Sequence, residues 1–275
     1  MEGSGDEEVR VPEWELPVAQ ARVDRAASSG LSTSLLSVPG AVGAEAAGFV
    51  ATGEVMGCVV QRLGWGSGIG ITPTQQLSMY GDVMRTGYRV ALERLRAEAR
   101  AINADGVLGI QLSVTHLDET LREFVALGTA VRALSAQRPG FVFTTELSGP
   151  DAGKLVQAGW VPATVVIGVG AHTTYDYNLQ YQTTVWAGNT EVDAHTKLVT
   201  DIRARARAEF REAVRASGAD GAIVSRMTLD SWPLGEVGVA GLASVFGTAV
   251  ARFHAEAAVP TSALTVLPLQ SKEKP

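Results

Sequence analysis

The chain is predicted to fold as an α+β protein of two tandem units, each a long helix on a small antiparallel sheet in the order β-α-β-β. Three observations carry this. First, short blocks recur in order. Leu36-Ser37-x-Pro39, Gly48-Phe49-Val50 and Val55-x-Gly57 return 111 residues later as Leu147-Ser148-x-Pro150, Gly159-Trp160-Val161 and Val166-x-Gly168. Arg96, Arg100, Ala101 and Ala104-Asp105-Gly106 return 115 later as Arg211, Arg215, Ala216 and Ala219-Asp220-Gly221, and Gly128-Thr129-Ala130-Val131 returns 119 later as Gly247-Thr248-Ala249-Val250. Fixed blocks separated by two four-residue steps are what two copies of one fold show when only their loops differ in length. Second, a helical apolar period occupies the same place in each copy. Third, β-rich runs flank it in the same order.

The boundaries follow from the blocks: an acidic arm over 1–30, a first unit over 31–134, a second over 142–254 and a tail over 255–275. Each unit opens with a short helix, N-capped by Ser37 or Ser148 with Pro39 or Pro150 in its first turn, and stopped by Gly48 or Gly159. A strand follows, Glu54 to Val60 in the first unit and Ala163 to Gly170 in the second. The next segment varies: glycine-rich over 64–70 in one copy, with Tyr175, Tyr177, Tyr181, Gln182 and Thr183 in the other. The long helix is predicted from Asp82 to Asn103, where Met84, Tyr88, Leu92, Leu95, Ala99 and Ile102 step by three and four. Leu198, Ile202, Ala206, Phe210 and Val214 repeat the pattern. Both helices are expected to end at a turn, Asn103-Ala104-Asp105-Gly106 and Gly218-Ala219-Asp220-Gly221, whose glycines suit a left-handed residue. Two strands complete each unit: 107–114 and 124–131, then 222–229 and 237–253. Gly128 and Gly247 fall inside strands, where glycine forfeits packing, so a bulge or a close backbone approach is expected there. A three-stranded sheet leaves edges that need a partner.

Composition narrows the function classes. At 275 residues, 46% hydrophobic and 19% charged, the chain can bury two cores. A net charge of -6 and a pI near 5.3 argue against nucleic-acid or anionic-membrane surfaces. One cysteine, Cys58, excludes an internal disulfide framework and fits a reducing compartment. The acidic start, Met1 to Glu8, is unlike a signal peptide, and no apolar run approaches the roughly 20 residues of a membrane span. A cytoplasmic protein is the expectation.

The V-x-G strand, the Arg-rich helix ending in A-D-G, and the final G-T-A-V strand, met twice in one order, resemble the YbjQ-like family, also called the heavy-metal-binding domain. The resemblance covers both units. It implies a two-layer, dodecin-like α/β subunit whose strands join through sheet edges into rings, typically of five domains, with no established enzymatic activity. The family pattern usually has Ala-Asn where this chain has Ala104-Asp105 and Ala219-Asp220, which reads as a turn variant of small consequence.

The candidate sites are few. A soft-metal centre needs converging Cys and His ligands, and the chain has one cysteine and four histidines: His116, His172, His195 and His254. No metal or cofactor site is assigned. Cys58 matches Val169 in the second copy, which favours a small packed residue. His116, with Asp118 and Glu119, is expected in a hairpin turn as a solvated group. The loop over 64–70 lacks the ending and following helix of a phosphate loop. No nucleophile–base pair or acid/base carboxylate pair is present, so no catalytic residue is named. Gly57, Gly168, Asp105, Gly106, Asp220, Gly221, Gly128 and Gly247 are read as the structural motif. Arg96 and Arg100, and their counterparts Arg211 and Arg215, are read as a solvated face or, alternatively, an interface or ring lumen. Residues 264–269 of the tail loosely resemble peptides that load cargo into encapsulin shells, and Trp14 marks a possible docking point in the arm. The leading expectation is a non-enzymatic homo-oligomer, five-fold, with the chain itself as partner, its ten domains arranged as two stacked five-domain rings in preference to one pseudo-tenfold ring. A metal- or ligand-binding module at domain interfaces and a cargo protein docking through its tail are the alternatives. Gly128→Val and Gly247→Val are expected to harm assembly more than a change at Gly66.

Overall fold

The computed structural model describes residues 33–63, 73–118, 120–136, 138–177, 191–235 and 237–253, with a few isolated residues besides. Trp14, the 64–70 loop with Gly66, Glu119, Tyr181, Gln182, Thr183, His254 and the 264–269 segment lie outside the described residues.

The fold is mixed α+β, with two sheets and four helices among the described residues. Helix α1 (Val38–Ala46) leads into β1 (Phe49–Arg62), helix α2 (Pro73–Ala101), β2 (Gly106–His116) and β3 (Leu121–Ala133). A two-residue strand β4 (Phe143–Thr144) precedes α3 (Gly149–Gln157), β5 (Trp160–Tyr175), α4 (Asp193–Ala216), β6 (Gly221–Leu234) and β7 (Gly238–Arg252). The first sheet runs β1-β3-β2-β4 and the second β5-β7-β6.

The pairing of the two halves follows one register, apart from a Val224–Gly247 pair on β6 that β2 lacks. Val55 faces Gly128 across β1 and β3, and Val166 faces Gly247 across β5 and β7. Gly106 faces Val131 and Gly221 faces Val250. The register shifts also correspond, at Ala51/Gly53 and Pro162/Thr164, and at Leu108/Gln111 and Val224/Arg226. The short helices start alike: Ser37 Oγ accepts from Gly40 N at 3.2 Å, and Ser148 Oγ from Asp151 N at 3.4 Å. Gly48 and Gly159 then turn the chain out of the helix at φ +81° and +82°.

Several elements are longer than their patterns predict. Helix α2 starts at Pro73, about two and a half turns before Asp82, because Leu77 continues its buried stripe. Strands β1 and β5 extend well beyond 54–60 and 163–170, since both lie at sheet edges under a helix and tolerate polar ends. The left-handed residues of the two turns are Gly218 (φ 70°), one of the expected glycines, and Asn103 (φ 53°) in place of a glycine in the first copy; Gly106 and Gly221 are not left-handed. The helix has already ended two positions earlier, and Gly106 and Gly221 are the first residues of extended strands. Strand β4 has no counterpart in the sequence-based expectation.

The layers alternate. Helix α2 lies between the sheets. Gly87 is against the Phe124 ring of the first sheet, while Gly81 lies 3.7 Å from Ala171 of the second (distances from an ideal Cβ). Tyr88 makes edge-on ring contacts with Phe124 at 5.1 Å and Phe246 at 5.3 Å. The core around it therefore joins Val55, Leu95 and Phe124 to Val165, Val169, Leu242 and Phe246. Helix α4 covers the opposite face of the second sheet through Leu198, Ile202, Ala206 and Phe210. A smaller cluster of Ala44, Leu108, Val131, Phe143 and Ala152 seats α1 and α3 on the outer face of the first sheet.

Candidate functional site

The paired glycines show what the repeated motifs accomplish. A Cβ on Gly57 would lie 2.0 Å from the Ala91 carbonyl oxygen, and one on Gly168 would lie 2.3 Å from that of Ala206. The V-x-G motif is thus the place where a helix backbone rests directly on a strand, an approach that only glycine permits. Gly128 and Gly247 each oppose a strand bulge, on β2 and β6. A Cβ at Gly247 would lie 2.2 Å from the Ile223 oxygen and one at Gly128 2.6 Å from Val107. The aspartates close the sheet ends: Asp105 Oδ2 accepts from Ala133 N at 2.7 Å, and Asp220 Oδ2 from Arg252 N at 2.8 Å. Asp105 is only 5% exposed and also pairs with Arg138 at 2.7 Å. It anchors the connection to the second half as well as the turn, a larger role than a turn variant.

Sheet edges are where unpaired N–H and C=O groups demand partners, and three of the four edges have them. On β1, Met56 N donates to Glu98 Oε2 at 2.6 Å, and the Cys58 oxygen accepts from Arg94 at 2.5 Å. On β5, Val169 N donates to Glu209 Oε2 at 2.7 Å, with Arg85 bridging to Glu209 at 2.8 Å. The β2 edge is filled by the segment that begins the second half. Phe143 N donates to Asp105 O at 3.1 Å, and Thr145 N donates to Val107 O, Gly109 N to Leu147 O and Ile110 N to Thr145 O, each at 3.0 Å. Residues 142–145 are buried there, and the Phe143 ring occupies the space a side chain on Gly106 would need. The equivalent edge, β6, carries no added strand among the described residues. Most of it is exposed, including Ile223 (37%) and Val224 (56%).

The junction between the halves gathers a connected set of polar side chains among the described residues. Arg96 donates to Thr144 at 3.1 Å, to Thr164 and to Glu93 at 2.5 Å. Burial lowers its guanidinium pKa below the ordinary value, against the opposing pull of Glu93. Thr145 and Thr248 hydroxyls meet at 3.0 Å, Ser225 donates to Glu146 at 2.5 Å, and Arg226 reaches the Leu112 oxygen at 2.9 Å while lying 4.2 Å over the Phe246 ring. Burial raises the Glu146 carboxyl above its usual range, against Ser225 and Arg226. Burial also pushes the Tyr88 phenol up to about 12. Arg96 therefore stands at the junction, whereas Arg100 and Arg211 are exposed and Arg215 pairs with Glu212 at 3.0 Å.

The metal-type residues do not converge. No group of three His, Cys, Asp or Glu able to hold an ion occurs among the described residues. Cys58 lies on β1 and pairs across the sheet with Val125; its counterpart Val169 is 4% exposed. His116 ends strand β2 opposite Arg122 rather than lying in the turn. The turn is made by Asp118, which accepts from Thr120 N and Leu121 N at 2.6 and 2.7 Å; these bonds hold its carboxyl below the usual range. His172 lies 3.9 Å from Asp201. His195 borders a cavity of about 290 Å³ with Leu179, Trp232, Pro233 and Val239. That cavity belongs wholly to the second half and not to the junction. This donor set does not fit a heavy-metal centre. No described helix is long and apolar enough to cross a membrane.

Residues 32–134 match a family whose description is "Putative heavy-metal-binding". The chain is also 35% identical over 159 residues to the encapsulin nanocompartment protein Rv1762c of Mycobacterium tuberculosis (strain ATCC 25618 / H37Rv). That match spans 55% of this chain and 60% of the relative's length.

Proposed function

We propose that the chain is two fused copies of the YbjQ-like, heavy-metal-binding domain, whose family model matches residues 32–134, and that its role is self-assembly, as a ring or cage. One observation carries the reading. The strand that completes the first sheet comes from the start of the second half, and the equivalent edge on β6 carries no added strand among the described residues. A domain built to receive a strand from its neighbour is a building block. Fusion makes the first such contact intramolecular and so raises its effective concentration. The relative named for an encapsulin nanocompartment supports a shell-related setting. In this reading the Ser225–Glu146 bond of the junction joins the halves, and no catalytic residue is assigned. Electron micrographs of the purified chain test the reading: closed particles of uniform size are expected, and monodisperse single chains would overturn it.

The relative's name also favours a second reading, in which the chain is cargo of a larger shell and docks through 264–269. Co-expression with an encapsulin shell protein separates the two. Cargo co-purifies inside the shell and is lost when residues 264–269 are removed, whereas a self-assembling protein forms its own particles without the shell.

A further inference from the structure

Two contacts lead from the first half to the second, and each has a matching pair of surfaces at the two ends of the chain. The first is strand addition at β2. Its donor, residues 142–147, has the internal bonds Glu146 N to Thr248 Oγ1 at 3.3 Å and Leu147 N to Thr145 Oγ1 at 3.0 Å. The corresponding residues 33–36 already hold the same shape, with Leu35 N to Thr129 Oγ1 at 2.9 Å and Leu36 N to Ser34 Oγ at 3.1 Å. Yet Thr33, Ser34 and Leu35 are exposed, Leu35 at 38%, where Thr144 and Thr145 are fully buried. The receiving edge is equally prepared. Asp220 N bonds Val250 O at 3.0 Å as Asp105 N bonds Val131 O at 2.8 Å, and Gly221 has nothing closer than 3.8 Å where Gly106 meets the Phe143 ring.

The second contact is α2 on the outer face of the second sheet, formed by Val165, Ile167, Val169, Leu242 and Phe246. The same face of the first sheet carries Glu54, Met56, Cys58, Glu123 and Leu127 and is only half-buried. The counterpart of the α2 face is the exposed stripe of α4 holding Arg203, Arg207 and Arg211. Within the chain this contact is apolar, with Tyr88 and Leu92 in the positions of Arg203 and Arg207. In the corresponding place between chains, the arginines of the α4 stripe match the Glu123 carboxylate on the sheet face, which is electrostatic complementarity.

We propose that a second copy of this chain docks head-to-tail. Its residues 33–36 add as a strand to the β6 edge of the first copy, and its sheet face around Met56 and Leu127 receives α4, so the junction inside one chain recurs between chains. This rests on the self-assembly reading above. The short-helix crossing is not copied closely. Gly43 and Gly149 allow backbone approach there, and their counterparts are Lys154 and Val38, so α3 and the incoming α1 stand further apart. A heterologous contact of this kind closes into a ring or runs on as a filament. Because each chain contributes two units, any ring built this way has an even number of units. Five chains would make one ten-unit ring, and two stacked five-unit rings are not built by this contact.

Cysteine cross-linking tests it. Val107 and Thr144 are register partners at the internal junction, and their counterparts are Ala222 and Thr33. In a Cys58→Ser background, the double variant Thr33→Cys, Ala222→Cys should form disulfides between chains on mild oxidation, at the short Cα separation that neighbouring strands provide. A non-reducing gel should show a ladder of dimers and higher species that collapses to one band on reduction, while neither single variant passes the dimer. Particle mass in reducing buffer, unchanged from the parent, shows that the variants fold and assemble. Particles of normal mass without a ladder overturn this interface and leave self-assembly standing. Single chains of the parent protein overturn the self-assembly reading itself. A ladder that appears only after removal of residues 254–275 assigns the edge to the chain's own tail and also overturns the proposal.

Discussion

At the scale of single residues, glycine is the motif's working part. Gly57→Val and Gly168→Val place a branched side chain where the Ala91 and Ala206 carbonyls already lie 2.0 and 2.3 Å from an ideal Cβ. Each should destabilise by about 3 kcal/mol or more, beyond ordinary overpacking, because backbone must move rather than a side chain. Gly140→Ala, with nothing within 4 Å, should change stability by less than about 0.5 kcal/mol. Denaturant midpoints compare the three, and equal midpoints would contradict the reading of the V-x-G motif. The glycines were recognisable in the sequence because they recur. Their reason was not, since a periodic pattern does not reveal how near the next backbone comes. Glu146 offers a pH test at the same scale. Its folded pKa is raised by burial above the ordinary value of 4.5. The fold therefore favours the neutral acid, and stability falls as pH climbs from about 4.5 through the raised value. Glu146→Gln abolishes that fall. The variant should match the parent below pH 4.5 and exceed it above the window, and parallel pH profiles would sink the assignment.

At the scale of elements, the helices explain why equivalent residues have different fates. Arg96 and Arg211 occupy one position of the repeat, yet α2 is enclosed between two sheets while α4, among the described residues, has sheet on one side only. Arg96→Ala would leave Thr144, Thr164 and Glu93 without their shared donor. It should cost about 1.5–3 kcal/mol, the range for hydrogen bonds to a charged group. Arg211→Ala should stay within about 0.5 kcal/mol for the single chain. Unfolding monitored at high dilution distinguishes them, and similar losses for both would argue against an enclosed α2. The element order and the strand and long-helix types were legible from periodicity. The extensions of α2, β1 and β5, and the strand β4, were not. Strand β4 is two residues long and exists because Asp105 and Val107 offer bonding groups to it across the sheet, a tertiary cause with no local sequence signal.

At the scale of the whole molecule, the two halves form one continuous stack through the shared core around Tyr88. The junction is therefore part of the fold and not a linker between independent bodies. Of its polar members, Arg96 and Thr248 belong to the repeated blocks, but Thr144, Glu146, Ser225 and Arg226 lie outside them, so comparing the two copies in sequence does not find those four. The edge that β6 presents was foreseen only in general, from the need of a three-stranded sheet for partners. What the chain does follows from how that need is met. The mass of the purified protein in solution, taken by light scattering across a dilution series, tests self-assembly most directly. The account predicts one species at a multiple of 28.8 kDa, with the same mass over the series. A mass of 28.8 kDa in dilute buffer would contradict it.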